Sequence, residues 1–169
     1  MPETPQEYTR RILANVEGHD PLKVQAETPV KLGRLIEGVP ASRLGERPAP
    51  GKWSVAEILA HLADAELVTS WRIRQILGAP GTPLQAYDQN SWATACHYEK
   101  RDPRKSLEQV RMLREANLAL LASLEPEQWK HHGMHAERGQ ESIEHIARKM
   151  AGHDLNHTKQ IERILGNQK

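Results

Sequence analysis

Three histidines lie at positions that place them on the inner faces of predicted helices. His153 and His157 interrupt an apolar series whose members recur every three or four residues, the spacing of one helix face. Residues four apart lie about 40° apart around the axis and about 6 Å along it. Two imidazoles can then converge on one metal ion, as in the helical H-E-x-x-H motif. The series comprises Ile143, Ile146, Met150, His153, His157, Ile161 and Ile164.

His61 adds a third imidazole from another predicted helix. It follows Ile58 by three residues and precedes Ala65 by four, so it shares a face with these apolar neighbours. Three inward histidines suffice for a site that keeps one coordination position open, as catalytic zinc requires. The alternative is a set of core histidines that bind backbone carbonyls or water, because a buried imidazole needs partners. Spacing alone leaves both interpretations open.

Four further residues could complete the site or its pocket. Asp64 and Gln160 each follow a histidine by three residues, and each could accept an imidazole N–H or face solvent. Asp88 and Trp92 belong to a connecting segment that could cover a cavity. Asp154 is interpreted differently, as a solvated carboxylate, because it points about 100° away from the preceding histidine.

Two other groups of reactive side chains are not assigned to the site. Cys96 and His97 are adjacent, and no oxyanion feature accompanies them, so we expect a buried, inert thiol. The second group comprises His131, His132 and His135. It lies in a predicted loop where nothing rigid orients the side chains, and the sequence does not determine whether it has a role.

Composition narrows the class of protein. The chain has 169 residues, which suits one domain with a sizeable core, and we assign residues 1–169 to a single domain. The 23 basic and 22 acidic residues nearly balance, which argues against a nucleic-acid partner. Cys96 is the single cysteine, so an internal disulfide is excluded. We find no signal-peptide or membrane-span pattern and expect a cytoplasmic protein without a membrane partner.

Capping signals predict where the helices begin and end. Thr4-Pro5-Gln6-Glu7 is a capping box that opens a segment ending by Gly18. The next helix is predicted at about 21–37, with a break or kink near Pro29. Further helices are predicted at 54–77, 103–124 and 142–165, with a short one around 90–95. Ser54 and Ser142 are the predicted caps of the second and last long helices.

The connections complete the predicted architecture. Residues 78–101 form a long crossover between the second and third long helices, and residues 125–141 form a polar connection. No strand is expected, because β-branched residues do not alternate with period two. The predicted fold class is all-α, a four-helix bundle with one long crossover. Metal sites in such bundles are built from side chains on facing helices.

The segments that carry the histidines resemble a known family. Residues 51–66, GKWSVAEILAHLADAE, resemble the second-helix signature of the DinB superfamily, and more closely its YfiT-like branch. Residues 152–161, GHDLNHTKQI, resemble the matching fourth-helix signature. Residues 83–92, PLQAYDQNSW, resemble the crossover of that branch. The resemblance therefore extends over almost the whole chain.

The resemblance implies a function as well as a fold. It implies a four-helix bundle, usually a homodimer, in which His61, His153 and His157 bind one divalent ion. Members of the family are described as metal-dependent hydrolases, and we expect a small-molecule substrate for this chain. Several relatives instead transfer a low-molecular-weight thiol onto an electrophile.

Three kinds of chemistry remain open for such a site. Three neutral imidazoles leave the charge of the ion largely uncompensated, which favours a metal-bound water as hydrolytic nucleophile. The same open position could hold the thiolate of a small thiol and lower its pKa. A non-catalytic bundle stabilised by its metal is the third possibility. Zinc or nickel is the expected ion, although imidazole also suits iron and copper.

Overall fold

The computed structural model describes residues 4–166 and is mainly helical. Four long helices form a bundle, and a long crossover joins the second of them to the third. Within the described residues, no helix is both long enough and apolar enough to span a membrane. The elements are α1 (Pro5–Asn15), α2 (Pro21–Ile36), α3 (Ala41–Gly45), α4 (Val55–Gly78), β1 (Pro83–Leu84), α5 (Gln89–Ala95), α6 (Pro103–Ala122), β2 (His132–His135), β3 (Gly139–Ser142) and α7 (Ile143–Gly166).

The long helices α2, α4, α6 and α7 pack in a ring, and α1 lies on the outside of α7. Two aliphatic clusters fill the ends of the bundle. One contains Leu32, Ile58 and Ile161, and the other contains Ile73 and Ile143. The middle of the bundle, between these clusters, carries buried polar side chains. Aliphatic packing at both ends therefore holds a polar layer in place.

The predicted helix starts are confirmed. Thr4 and Ser54 form capping boxes with Glu7 and Glu57, respectively. The Ser142 hydroxyl oxygen accepts a hydrogen bond from the backbone N–H of His145 at 3.1 Å. Each cap satisfies backbone donors that the first turn of a helix leaves without intrahelical partners.

Of the break or kink predicted near Pro29, the break is wrong, because α2 is helical from Pro21 through Ile36. Proline lacks an N–H, so the carbonyl four residues earlier loses its usual helical donor. That carbonyl belongs to Gln25, and Arg114 of α6 donates to it at 2.7 Å. The Thr28 hydroxyl donates to the Val24 carbonyl within the same helix instead of capping a new one. A side chain from a neighbouring helix thus supplies the donor that the proline removes.

The expectation of no strands is also wrong. β1, in the crossover, pairs in parallel with β2, and β2 pairs in antiparallel fashion with β3. The hairpin turns at Gly139, whose φ of +76° suits glycine. Strands of two to four residues are too short to show a period-two pattern. This small sheet ties the two long connections together at one end of the bundle.

Gly152 is the point at which α1 crosses α7 at very close range. A Cβ added there would lie 2.0 Å from the carbonyl oxygen of Ile12, a backbone atom that cannot rotate away. Gly152→Ala is therefore expected to displace α1 and lower the free energy of unfolding by about 1–3 kcal/mol. Urea denaturation measures this change.

Gly33→Ala is the matched control, because Gly33 is also helical but its added Cβ would meet only Leu107, at an ordinary 3.9 Å. Alanine there is expected to leave stability unchanged or to raise it by up to about 1 kcal/mol. Equal losses in the two variants would contradict the close-contact argument.

Candidate metal centre

The structure brings the three predicted histidines together. His61 comes from α4, and His153 and His157 come from one face of α7. Their exposed fractions are 2%, 7% and 8%, respectively. One possible ligand atom from each lies within 4.8 Å of those of the other two. Within residues 4–166, this is the one group of three or more His, Cys, Asp or Glu side chains arranged to hold a metal ion.

The ring nitrogens approach as they would around a small cation. The Nε2 atoms of His61 and His153 are 3.0 Å apart. Zn–N bonds of about 2.0–2.1 Å in a tetrahedral site place the nitrogens about 3.3–3.4 Å from one another. The observed separation is slightly shorter, so a small outward movement of either ring would accommodate an ion.

Burial keeps these imidazoles neutral. It lowers the pKa of His61 to about 3 and that of His157 to about 4, and proximity to His157 adds to the effect on His61. The pKa of His153 lies well below its usual value, first because of burial and then because of the other two histidines. Metal binding requires an unprotonated nitrogen. At neutral pH, all three rings therefore carry a lone pair for a cation.

The hydrogen bonds of the rings also suit a metal. The His157 Nδ1 lies 2.9 Å from the Gln160 amide oxygen. If Nδ1 carries the proton and donates to that oxygen, Nε2 is left free to bind an ion. The Nδ1 atoms of His61 and His153 are buried and have no hydrogen-bond partner in the described part of the chain. If both rings carry their protons at Nδ1, their Nε2 lone pairs face each other at 3.0 Å, and a cation between the Nε2 atoms would replace that repulsion with attraction.

The other predicted pocket residues have different environments. Asp64 is buried beside the site but accepts hydrogen bonds from the Tyr98 hydroxyl and from Arg101, both at 2.8 Å. Asp64 therefore hydrogen-bonds α4 to the end of the crossover, where Tyr98 and Arg101 lie. Asp88 caps α5 and is exposed at the cavity. Trp92 packs on the ring of Tyr87, with centroids 4.5 Å apart. Of the four, Gln160 is the residue that lies within hydrogen-bond distance of one of the three histidines.

The interpretation of Asp154 as a solvated carboxylate is wrong. Its exposed fraction is 1%, and it accepts a hydrogen bond from Arg114 at 2.6 Å. Arg114 also donates to Glu66 at 2.8 Å, and the Asn117 amide donates to Glu66 at 2.7 Å. Asp154, Arg114, Glu66 and Asn117 thus form one hydrogen-bonded network in the middle of the bundle. Burial raises the pKa of Asp154, and the Arg114 charge opposes that rise.

The remaining reactive residues lie away from the three-histidine centre. The loop histidines belong to or border the small sheet, where His135 is buried and its Nε2 lies 3.3 Å from Arg72. Cys96 is exposed at the end of α5, so the expectation of a buried thiol is wrong. Neither group contributes a ligand to the centre.

A cavity of about 570 Å³ reaches the centre at His61 and His153. Its volume lies within the range of small-molecule sites. Side chains from α1, α4, the crossover, the hairpin and α7 line it. These include Tyr8, Thr69, Arg72, Tyr87, Arg138 and Lys149. A small molecule in this cavity would therefore have access to an ion held by the histidines.

Comparisons with known proteins agree with this picture. A family model of the DinB superfamily matches residues 26–161. YfiT of Bacillus subtilis strain 168 is 29% identical over 125 residues, 73% of this chain and 70% of that protein. A relative from Oceanobacillus iheyensis is 25% identical over 150 residues, 88% of this chain and 86% of its own. Both are named as candidate metal-dependent hydrolases.

A solved structure shows the same fold. It is that of YfiT from Bacillus subtilis, which is described as a probable metal-dependent hydrolase with an unusual four-helix bundle topology. The TM-score is 0.76 at 24% sequence identity, and the match covers 96% of this chain and 90% of the other. The bundle with its long crossover is therefore shared with a known protein.

Proposed function

Because this chain belongs to the DinB superfamily, we propose that it is a metal-dependent hydrolase that holds one divalent ion between His61, His153 and His157. The observation that carries the proposal is the convergence of three buried, neutral imidazoles at a cavity of small-molecule size. Small-molecule substrates and homodimeric assembly, both expected from the sequence, are part of the proposal. Zinc and nickel are the ions that we would test first.

The roles of the residues follow from their contacts. The three histidines bind the ion, and Gln160 orients the His157 ring through its Nδ1. When bound, a divalent ion supplies Lewis-acid and water-activating chemistry. The helices around the centre exclude bulk water from all but the cavity side, since each of the three rings is more than nine-tenths buried. Cys96, which is exposed outside the cavity lining, has no part in this reaction.

Thiol transfer is the principal alternative, and a non-catalytic metal site is the other. A structural zinc site normally closes all four positions with protein ligands. Here the described residues bring three potential ligands together beside an open cavity. This arrangement favours an enzyme over a structural site. It is compatible with either hydrolysis or thiol transfer, because those reactions differ only in whether water or a thiolate would occupy the open coordination position of the ion.

The experiment that tests the proposal starts with metal analysis of protein purified without an affinity tag. The protein is then assayed against a panel of esters and amides, and separately against electrophiles with small thiols. We expect hydrolysis that chelation abolishes, that added metal restores and that needs no thiol. Thiol-dependent consumption of the electrophile, without hydrolysis, would support the transferase instead. Bound metal with neither activity would support the structural role.

A further inference from the structure

Among the charged side chains that line the cavity, the cations are more buried than the carboxylates. Arg72 of α4, Arg138 beside the hairpin and Lys149 of α7 all line the cavity. The one buried carboxylate near them is Glu141, which accepts hydrogen bonds from Arg138, at 2.9 Å, and from Lys149. Glu141 is not part of the lining, whose own acidic residues are Asp88 and Glu137, both exposed. Solvent screens exposed charges much more than buried ones.

Arg72 is the cation of this wall that forms no ion pair, although its guanidinium carbon lies 5.9 Å from the centre of the Tyr87 ring and the Glu141 charge acts on it from beyond ion-pair distance. Its exposed fraction is 8%, and no carboxylate pairs with it within residues 4–166. Its hydrogen bonds involve Nη2, which donates to the Gln85 carbonyl and lies near His135. Burial lowers the pKa of His135 to about 4, so this neighbour is neutral and compensates no charge. The Nε and Nη1 donors of Arg72 are therefore available to a molecule in the cavity.

Arg72 and Lys149 face the same side as the histidines. Arg72 follows His61 by eleven residues, so it lies about 16 Å further along α4 but only about 20° around its axis. Lys149 precedes His153 by four residues, about 6 Å along α7 and about 40° around it. A molecule of moderate length can thus contact the histidines with one end and these cations with the other.

We propose that Arg72, supported by Lys149, forms an anion subsite that binds a carboxylate or phosphate group at the end of the substrate remote from the three histidines. A guanidinium binds either group through paired N–H donors, and a planar carboxylate matches its geometry best. This inference rests on the proposed function, which it deepens by assigning the substrate to small anionic molecules. Burial of Arg72 without a counter-ion is unfavourable, and a bound anion removes that cost.

The test measures anion binding by calorimetry, independently of turnover. The probes are glutarate, inorganic phosphate and, as a neutral analogue, glutaramide. We expect the unmodified protein to bind glutarate or phosphate, more weakly as salt is added, and not to bind glutaramide. Arg72→Gln should weaken anion binding by about tenfold or more. Arg72→Lys, which keeps the charge but not the fork of donors, should lose less affinity.

Arg148→Gln is the matched control, because it also replaces an arginine with glutamine. Arg148 lies next to Lys149 on α7, but its side chain is exposed and does not line this cavity. The affinity of this variant should equal that of the unmodified protein. Equal affinity in Arg72→Gln, or no anion binding at all, would overturn the proposal.

Each titration is run with metal-loaded protein and again after chelation and removal of the chelator. Anion binding that depends on Arg72 should persist without metal. Binding that disappears with the metal would instead place the anion on the ion and would refute the subsite. Failure of the proposed function would appear separately, as absent metal or absent hydrolysis.

Discussion

Replacing His157 with alanine is expected to abolish stoichiometric binding of a divalent ion while the bundle stays folded. Removal of an outer-shell hydrogen-bond partner of a metal ligand costs about 10–100-fold in affinity, and removal of a ligand itself should cost more. Two imidazoles would remain in a cavity that is open to water. The aliphatic clusters at the two ends of the bundle do not include His157, so the helices keep their packing. Metal content by mass spectrometry and helicity by circular dichroism measure the two effects.

Two further variants make this prediction specific. Gln160→Ala keeps all three imidazoles and removes only the acceptor at the His157 Nδ1. It should therefore weaken the affinity by about 10–100-fold without changing the stoichiometry at saturating metal. His132→Ala, on β2, should change neither quantity. Full metal content in His157→Ala would contradict the assignment of the centre.

Arg114→Met is expected to cause the largest loss of stability. The substitution removes the one guanidinium that Glu66 and Asp154 share, both of which are 1% exposed. It also leaves the Gln25 carbonyl, beside Pro29, without its donor. Breaking a buried ion pair by removing one partner costs about 3–5 kcal/mol, a large part of the stability of an ordinary domain. Urea denaturation at neutral pH measures the free energy of unfolding.

Arg111→Met provides the comparison, because Arg111 lies one turn earlier on α6 and pairs with Glu108 at the surface. That pair should contribute less than about 1 kcal/mol. The pH dependence adds a second criterion. Burial already raises the pKa of Asp154, and loss of Arg114 removes an opposing influence. A raised pKa in the folded state favours folding at low pH, so the defect of Arg114→Met should diminish as the pH falls toward about 4. Equal losses in the two variants would contradict this account.

Local sequence patterns predicted the helices and the histidine centre because both depend on residues close together in the chain. A capping box spans four residues, and the repeat that carries His153 and His157 is visible within one helix. The position of His61 opposite them followed from the same periodicity, since a residue on the apolar face of a bundle helix must face the other helices. The resemblance to a known family added the expectation that all three bind one ion.

The polar contacts could not be predicted in the same way, because their partners are distant in sequence. Asp154 and Arg114 are 40 residues apart, and either one alone looks like a surface residue. A signal was present in α6, where Arg114 and Asn117 share the inner face with Val110 and Leu121. Charged and amide side chains at apolar positions indicate buried partners. The sheet was missed because its strands are only two to four residues long and because β1 pairs with a strand about fifty residues later.

Gly152 makes the position of α1 depend on the identity of a single residue of α7. Alanine cannot replace it while the Ile12 carbonyl stays 2.0 Å from the added Cβ. In any chain of this fold, a larger residue at this position should accordingly occur together with a first helix that is shifted or absent. Such a chain would lack the part of the cavity wall formed here by Tyr8 and Thr9. The identity of one residue beside a proposed metal ligand should thus indicate how wide the adjoining cavity is, even where no structure has been determined.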